Sequence, residues 1–85
     1  MIWGIKWTHK ALKDIGCLDR HIQVKVNQAV ERLAKIGHGD VERVKGSDSE
    51  LRLRVGGLRV FFIYLKEDRA ICILRVRPRG SAYKK

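Results

Sequence analysis

Acidic residues are scarce in this 85-residue chain: nine Asp and Glu stand against nineteen Lys and Arg. Proline occurs once, and no low-complexity tract or internal repeat interrupts a composition that is 45 % hydrophobic. That excludes the disordered and collagen-like classes and predicts a globular protein. No apolar run approaches the roughly 18–20 residues that cross a bilayer. Met1-Ile2-Trp3-Gly4 runs straight into a patterned strand without the outline of a signal peptide, so a cytoplasmic protein is expected. The two cysteines, Cys17 and Cys72, share neither redox nor zinc spacing, which predicts reduced, packed thiols. The three histidines, His9, His21 and His38, lie too far apart to pair on a helix face. Neither a metal site nor a cofactor is expected.

What the chain has in excess is positive charge, a formal +10 with a pI near 10.2. Such a balance favours nucleic acid or an acidic protein as partner and says nothing of fold. The length suits one domain, residues 1–85, with a single modest core.

The strongest local signal is a hairpin. Leu51-Arg52-Leu53-Arg54-Val55 alternates, Gly56-Gly57 breaks it, and Leu58-Arg59-Val60-Phe61-Phe62-Ile63-Tyr64 resumes it. Two glycines between alternating runs supply the positive φ of a primed turn. A two-residue loop sets Val55 opposite Leu58, Leu53 opposite Val60, and Arg54 opposite Arg59. Like charges facing each other on a sheet cost a few tenths to about 1 kcal/mol. A sequence that accepts that cost has a use for the charge, and an anion such as phosphate is the expected one.

The other elements follow from spacing. Trp3, Ile5 and Trp7 alternate on one side of a first strand. Thr8 caps a short helix through Ala11, Leu12 and Ile15, stopped at Gly16. Asp19 caps a longer helix in which Ile22, Val26, Ala29, Val30, Leu33 and Ile36 recur at helical period, ended by Gly37. Residues from His38 to Glu50 read as a polar loop, with at most a short turn around Val41–Val44. Ala70 to Arg77 reads as a last strand. The order β-α-α-β-β-β predicts an α+β fold, two early helices packed on one face of an antiparallel sheet.

Period-two bookkeeping assigns the faces. Leu51, Leu53, Val55, Leu58, Val60, Phe62 and Tyr64 face the helices, and Cys72, Leu74 and Val76 join them if the charged turn shifts the register by an odd number. The opposite face then gathers Arg52, Arg54, Arg59, Arg75 and Arg77 beside a floor of Phe61, Ile63, Ile71 and Ile73. One or two arginines would merely solvate a sheet. Five on neighbouring strands, with almost no lysine or acid between them, suggest bidentate phosphate binding and stacking on bases. The pattern fits substrate RNA and an acidic protein segment alike. The apolar floor equally fits an interaction patch or a seat for the C-terminal tail.

Taken in order, these residues resemble the RelE/ParE toxin superfamily of bacterial toxin–antitoxin systems over nearly the whole chain. The likeness rests on the element order, the Val44-Lys45-Gly46 step, the Leu-Arg-Leu-Arg-Val-Gly-Gly-Leu-Arg-Val run, and the closing Ile-Leu-Arg-Val-Arg-Pro-Arg-Gly-Ser-Ala-Tyr. The resemblance implies a toxin that enters the ribosomal A site and cuts messenger RNA without a metal, using the 2′-hydroxyl as nucleophile, and is neutralised by a cognate antitoxin. It also implies site residues. Arg52 and Arg54 stand where RelE proper has lysines, and Arg59 stands at the arginine that stabilises the pentacoordinate phosphate. Arg79, with Arg77 its rival, stands at the C-terminal arginine, and Tyr83 at the terminal tyrosine. Arg75, Arg77, Lys45 and Lys84 are expected to contact RNA.

Arginine keeps its proton in proteins, so Arg52 and Arg54 are unsuited to remove one. Glu50, His38 and Tyr83 are the candidates for general base, with Glu50 equally able to pair with an arginine. Two other readings share the fold: a ParE-type inhibitor of DNA gyrase, and an inactive scaffold that only binds antitoxin.

Overall fold

The computed structural model describes residues 3–78. Its elements are β1 (Gly4–Trp7), α1 (His9–Gly16), α2 (Arg20–Ile36), β2 (Val41–Arg43), β3 (Leu51–Val55), β4 (Leu58–Leu65) and β5 (Ala70–Pro78). The expected α+β layout is present, with both helices on one side of a five-stranded sheet ordered β1-β5-β4-β3-β2. Two features differ from the expectation. β1 runs parallel to β5, so the sheet is mixed rather than antiparallel throughout. And Val41–Arg43, read as loop, is an edge strand antiparallel to β3.

Thr8 and Gly37 behave as their chemistry requires, whereas Asp19 occupies the N-cap position of α2 without a side-chain hydrogen bond to the helix. The Thr8 hydroxyl accepts from the Ala11 N–H at 3.1 Å and donates to the Leu74 carbonyl at 2.9 Å. One side chain thus starts α1 and ties it to β5. Gly37 closes α2 in the left-handed conformation, φ 72°, its N–H reaching the Leu33 carbonyl, a geometry glycine adopts without a Cβ penalty. Gly56 takes φ 59° at the hairpin turn, and the register is the one the turn length dictates, with Val55 opposite Leu58 and Arg54 opposite Arg59.

The core lies between α2 and the sheet. Val26, Val30, Leu33 and Ala34 meet Leu53, Val60, Phe62, Ile71 and Ile73, all buried. Full burial of each large apolar side chain is worth about 1.5–3 kcal/mol. Ile36, assigned by its period to the buried stripe, is instead 63 % exposed at the end of α2, beside Trp3 and Tyr64.

β5 corrects the face assignment. Phe61 pairs with Arg75, but Phe62 pairs with Ile73, leaving Leu74 as an extra residue. A bulge reverses the alternation of a strand. Ile71 and Ile73 therefore enter the core rather than the open floor, and half-buried Cys72 takes a place opposite Ile63. Beyond the bulge the phase flips, Val76 is buried, and Arg75 and Arg77 face outward as expected.

β1 ends at Trp7, opposite Ile73, so among the described residues the outer edge of β5 beyond it has no strand neighbour. α1 covers that edge. Thr8 takes the Leu74 carbonyl, and Asp14 Oδ2 accepts from the Val76 N–H at 2.9 Å. Burial would push the Asp14 carboxyl up. The Lys10 hydrogen bond, the Val76 N–H and the charges of Lys10 and Arg77 together outweigh that and hold it below the usual carboxylate range.

A candidate phosphate-binding face

The open side of the sheet is organised in two cross-strand rows. One runs Glu42, Arg52, Phe61, Arg75 across β2, β3, β4 and β5. The other runs Arg54, Arg59, Arg77 across β3, β4 and β5. The expected five arginines are thus on neighbouring strands of one face, placed there by the hairpin register and the Leu74 bulge.

Acids are interleaved, contrary to the sequence reading. Glu42, on the edge strand missed in the sequence, accepts from Arg52 Nε at 3.0 Å and Nη2 at 2.7 Å through Oε1. Its Oε2 accepts from Arg54 Nη1 at 2.6 Å. The hydrogen bonds from Arg52 and then Arg54 outweigh desolvation and hold the Glu42 carboxyl below its ordinary range. Asp40 lies 3.4 Å from Arg54 Nε at the rim. An Arg-x-Arg strand with Val-Glu-Arg ten residues upstream was the available signal, but Glu42 counts only once β2 is seen to pair with β3.

The second row is different. Among the described residues, neither Arg59 nor Arg77 has a carboxylate within ion-pair distance. With Phe61, Arg75 and Pro78 they line an open cavity of about 340 Å³. Arg59 also lines a smaller one with Arg54, Gly56 and Leu58. Arg75 lies over the Phe61 ring, its guanidinium carbon 4.3 Å from the centroid, a cation–π contact that fixes the guanidinium plane. Its Nη2 is 2.6 Å from Glu50 Oε2, a buried oxygen the contact meets off the hydrogen-bond direction. Among the described residues the face therefore offers two guanidiniums without an ion-pair partner, a third held in place, and an aromatic ring beneath that third one.

The remaining expected site residues fall elsewhere. Lys45 is exposed on the β2–β3 loop, where Gly46 turns with φ 85° and Ser47 N–H reaches the Val44 carbonyl. His38 lines a separate cavity of about 290 Å³ with Lys25, Arg32 and Arg54 and shares neither cavity that Arg59 lines. Glu50 takes the arginine-pairing role allowed for it. Arg79, Tyr83 and Lys84 lie outside the described residues. No helix among the described residues is long and apolar enough to cross a membrane.

Residues 5–83 match the family described as ParE toxin of type II toxin–antitoxin system, parDE. A Methanocaldococcus jannaschii protein bearing the name of toxin RelE1 is 44 % identical over 45 residues, 53 % of this chain and 50 % of that protein. The match thus spans half the length of that relative. Among solved structures, the archaeal RelE–RelB complex of Pyrococcus horikoshii OT3 aligns with a TM-score of 0.77 at 23 % identity, covering 94 % of this chain and 98 % of the other. The RelBE2 toxin–antitoxin complex of Mycobacterium tuberculosis gives 0.76 at 23 % identity, covering 94 % and 95 %. The isolated E. coli RelE toxin gives 0.73 at 12 % identity, covering 92 % and 85 %. At these identities the structural likeness is one of fold.

Proposed function

Because the chain belongs to the ParE toxin family of type II toxin–antitoxin systems, within the RelE/ParE superfamily, we propose that it is a toxin that cuts translated messenger RNA in the ribosomal A site. The observation that carries this reading is the Arg54–Arg59–Arg77 row, with Arg59 and Arg77, unpaired among the described residues, lining one cavity with Phe61.

In this reading the RNA backbone lies across β4 and β5, with the scissile phosphate between Arg59 and Arg77. The 2′-oxygen attacks the adjacent phosphorus as the bond to the 5′-oxygen breaks. The 2′-proton leaves to a base and the 5′-oxygen takes one up. Charge grows on the non-bridging oxygens during attack, and guanidiniums already in place stabilise it without reorganisation. Arg75, stacked on Phe61, presents a flat cation near a neighbouring base or phosphate. Arg52 and Arg54 add charge when Glu42 lets them go. The family resemblance assigns phosphate contact to Arg79 and base stacking or proton transfer to Tyr83, both outside the described residues. No arginine takes the 2′-proton, since guanidinium stays charged. The cognate antitoxin is a protein with an acidic segment that covers this face; charge steers the encounter, which is fast and salt-sensitive.

The test is induction of the chain in cells followed by mapping of 5′ ends on several translated messages. Cuts within translated codons that disappear with Arg59→Ala support the proposal. A well-folded Arg59→Ala variant that still cuts overturns it.

A second reading is favoured by the ParE description of the matched family: a protein that inhibits DNA gyrase by binding it. Growth arrest with an SOS response and intact messages supports that reading. Absence of arrest marks an antitoxin-binding scaffold without activity.

A further inference from the structure

Three donors on β3, two from Arg52 and one from Arg54, point at one carboxylate. Glu42 Oε1 receives the Nε and Nη2 hydrogens of Arg52, the same edge of the guanidinium that grips a phosphate with two parallel bonds. Oε2 receives Nη1 of Arg54, whose Nε lies beside Asp40. A carboxylate and a phosphodiester carry the same single charge and ask for the same donors, so both cannot be served at once. Arg59 and Arg77, on β4 and β5, have no such occupant among the described residues. The five arginines are therefore not equivalent.

The element carrying Glu42 suits a group that must yield. β2 has three residues, lies at the sheet edge, and pairs with one neighbour only. The Glu42 side chain is 34 % exposed, so a displaced carboxylate enters water without crossing a packed interior.

We propose that Glu42 is an internal competitor for phosphate on Arg52 and Arg54, and that nucleic acid engages those two arginines only by displacing it. Arg59 and Arg77 capture a backbone phosphate first. A second phosphate then exchanges with the carboxylate on the neighbouring strand. The protein resists non-specific binding until a strand is presented in register with both rows. This role of Glu42 is one of positioning and affinity, and it rests on the RNA-binding reading of the face.

The experiment titrates the purified full chain with inorganic pyrophosphate at low salt. Glu42→Gln keeps the shape and removes the charge. It is expected to bind pyrophosphate about tenfold more tightly than the wild type, in keeping with freed charge-assisted donors. The gain is expected to vanish when Arg52→Ala and Arg54→Ala are added. Glu42→Ala, which leaves no amide on the arginines, is expected to follow Glu42→Gln. With a cleavage-resistant 2′-O-methyl RNA, the logarithmic salt dependence of binding is expected to steepen by about one contact. Unchanged or weaker pyrophosphate binding by both Glu42 variants overturns the proposal, as does a gain that survives loss of the two arginines. Cleavage on ribosomes is read separately, so loss of the nuclease reading and loss of this one have different signatures.

Discussion

Arg54 and Arg59 face each other directly across the β3–β4 hairpin. The repulsion is relieved from one side only: Arg54 has Glu42 and Asp40 beside it, and Arg59 has neither. Arg59→Ala is therefore expected to leave thermal stability unchanged or raise it by up to about 1 kcal/mol. The same substitution is expected to abolish toxicity. Melting curves and growth assays on one variant check both, and a destabilised variant would assign Arg59 a structural role.

Arg77 shares the second row but not the hairpin. Arg77→Ala is expected to weaken pyrophosphate binding by about tenfold and to lower the salt slope for RNA by about one. Calorimetric titration at several salt concentrations reads both quantities.

Thr8 joins α1 to β5 through a single hydroxyl. Thr8→Val keeps the volume and removes both hydrogen bonds. It is expected to cost about 1–2 kcal/mol in urea unfolding, while Thr8→Ser, which keeps the hydroxyl, is expected to recover most of that.

Acid is expected to unfold the protein partly through Asp14. Its carboxyl is held below the ordinary range in the folded chain, so the folded state binds fewer protons than the unfolded state there. The stabilisation is complete above the unfolded value of about 3.9 and fades as pH falls through the lower folded value. Asp14→Asn is expected to flatten the melting temperature against pH below about 4, and to lower it at neutral pH. A variant that keeps the wild-type slope would move the acid sensitivity to other carboxylates.

How far the sequence reached depends on the range of the interaction involved. The hairpin, the Thr8 cap and the Gly37 stop are settled by neighbours a few residues apart, and they were legible. The pairing of β1 with β5 joins Gly4 to Ala70, and alternation reads the same whether a strand's neighbour is parallel or antiparallel. β2 is three residues with a polar centre, too short for a period to declare itself, and Glu42 was hidden with it. Uniform alternation along β5 placed Arg75 and Arg77 on the correct side while placing Ile71 and Ile73 on the wrong one. Those two isoleucines needed the Leu74 bulge, which sits where Thr8 takes the Ile73 and Leu74 carbonyls past the end of β1.

That extra residue makes β5 two half-strands spliced in opposite phase. If Leu74 were held in regular pairing instead of a bulge, plain alternation would put Ile71, Ile73, Arg75 and Arg77 on one face, and either the isoleucines would be exposed or the arginines buried. Deletion of Leu74 would remove the extra residue, leave Ile73 and Arg75 adjacent opposite Phe62 and Phe61, and keep both halves in their present phase. The position of one inserted residue thus decides where the protein keeps its interior and where it keeps its chemistry.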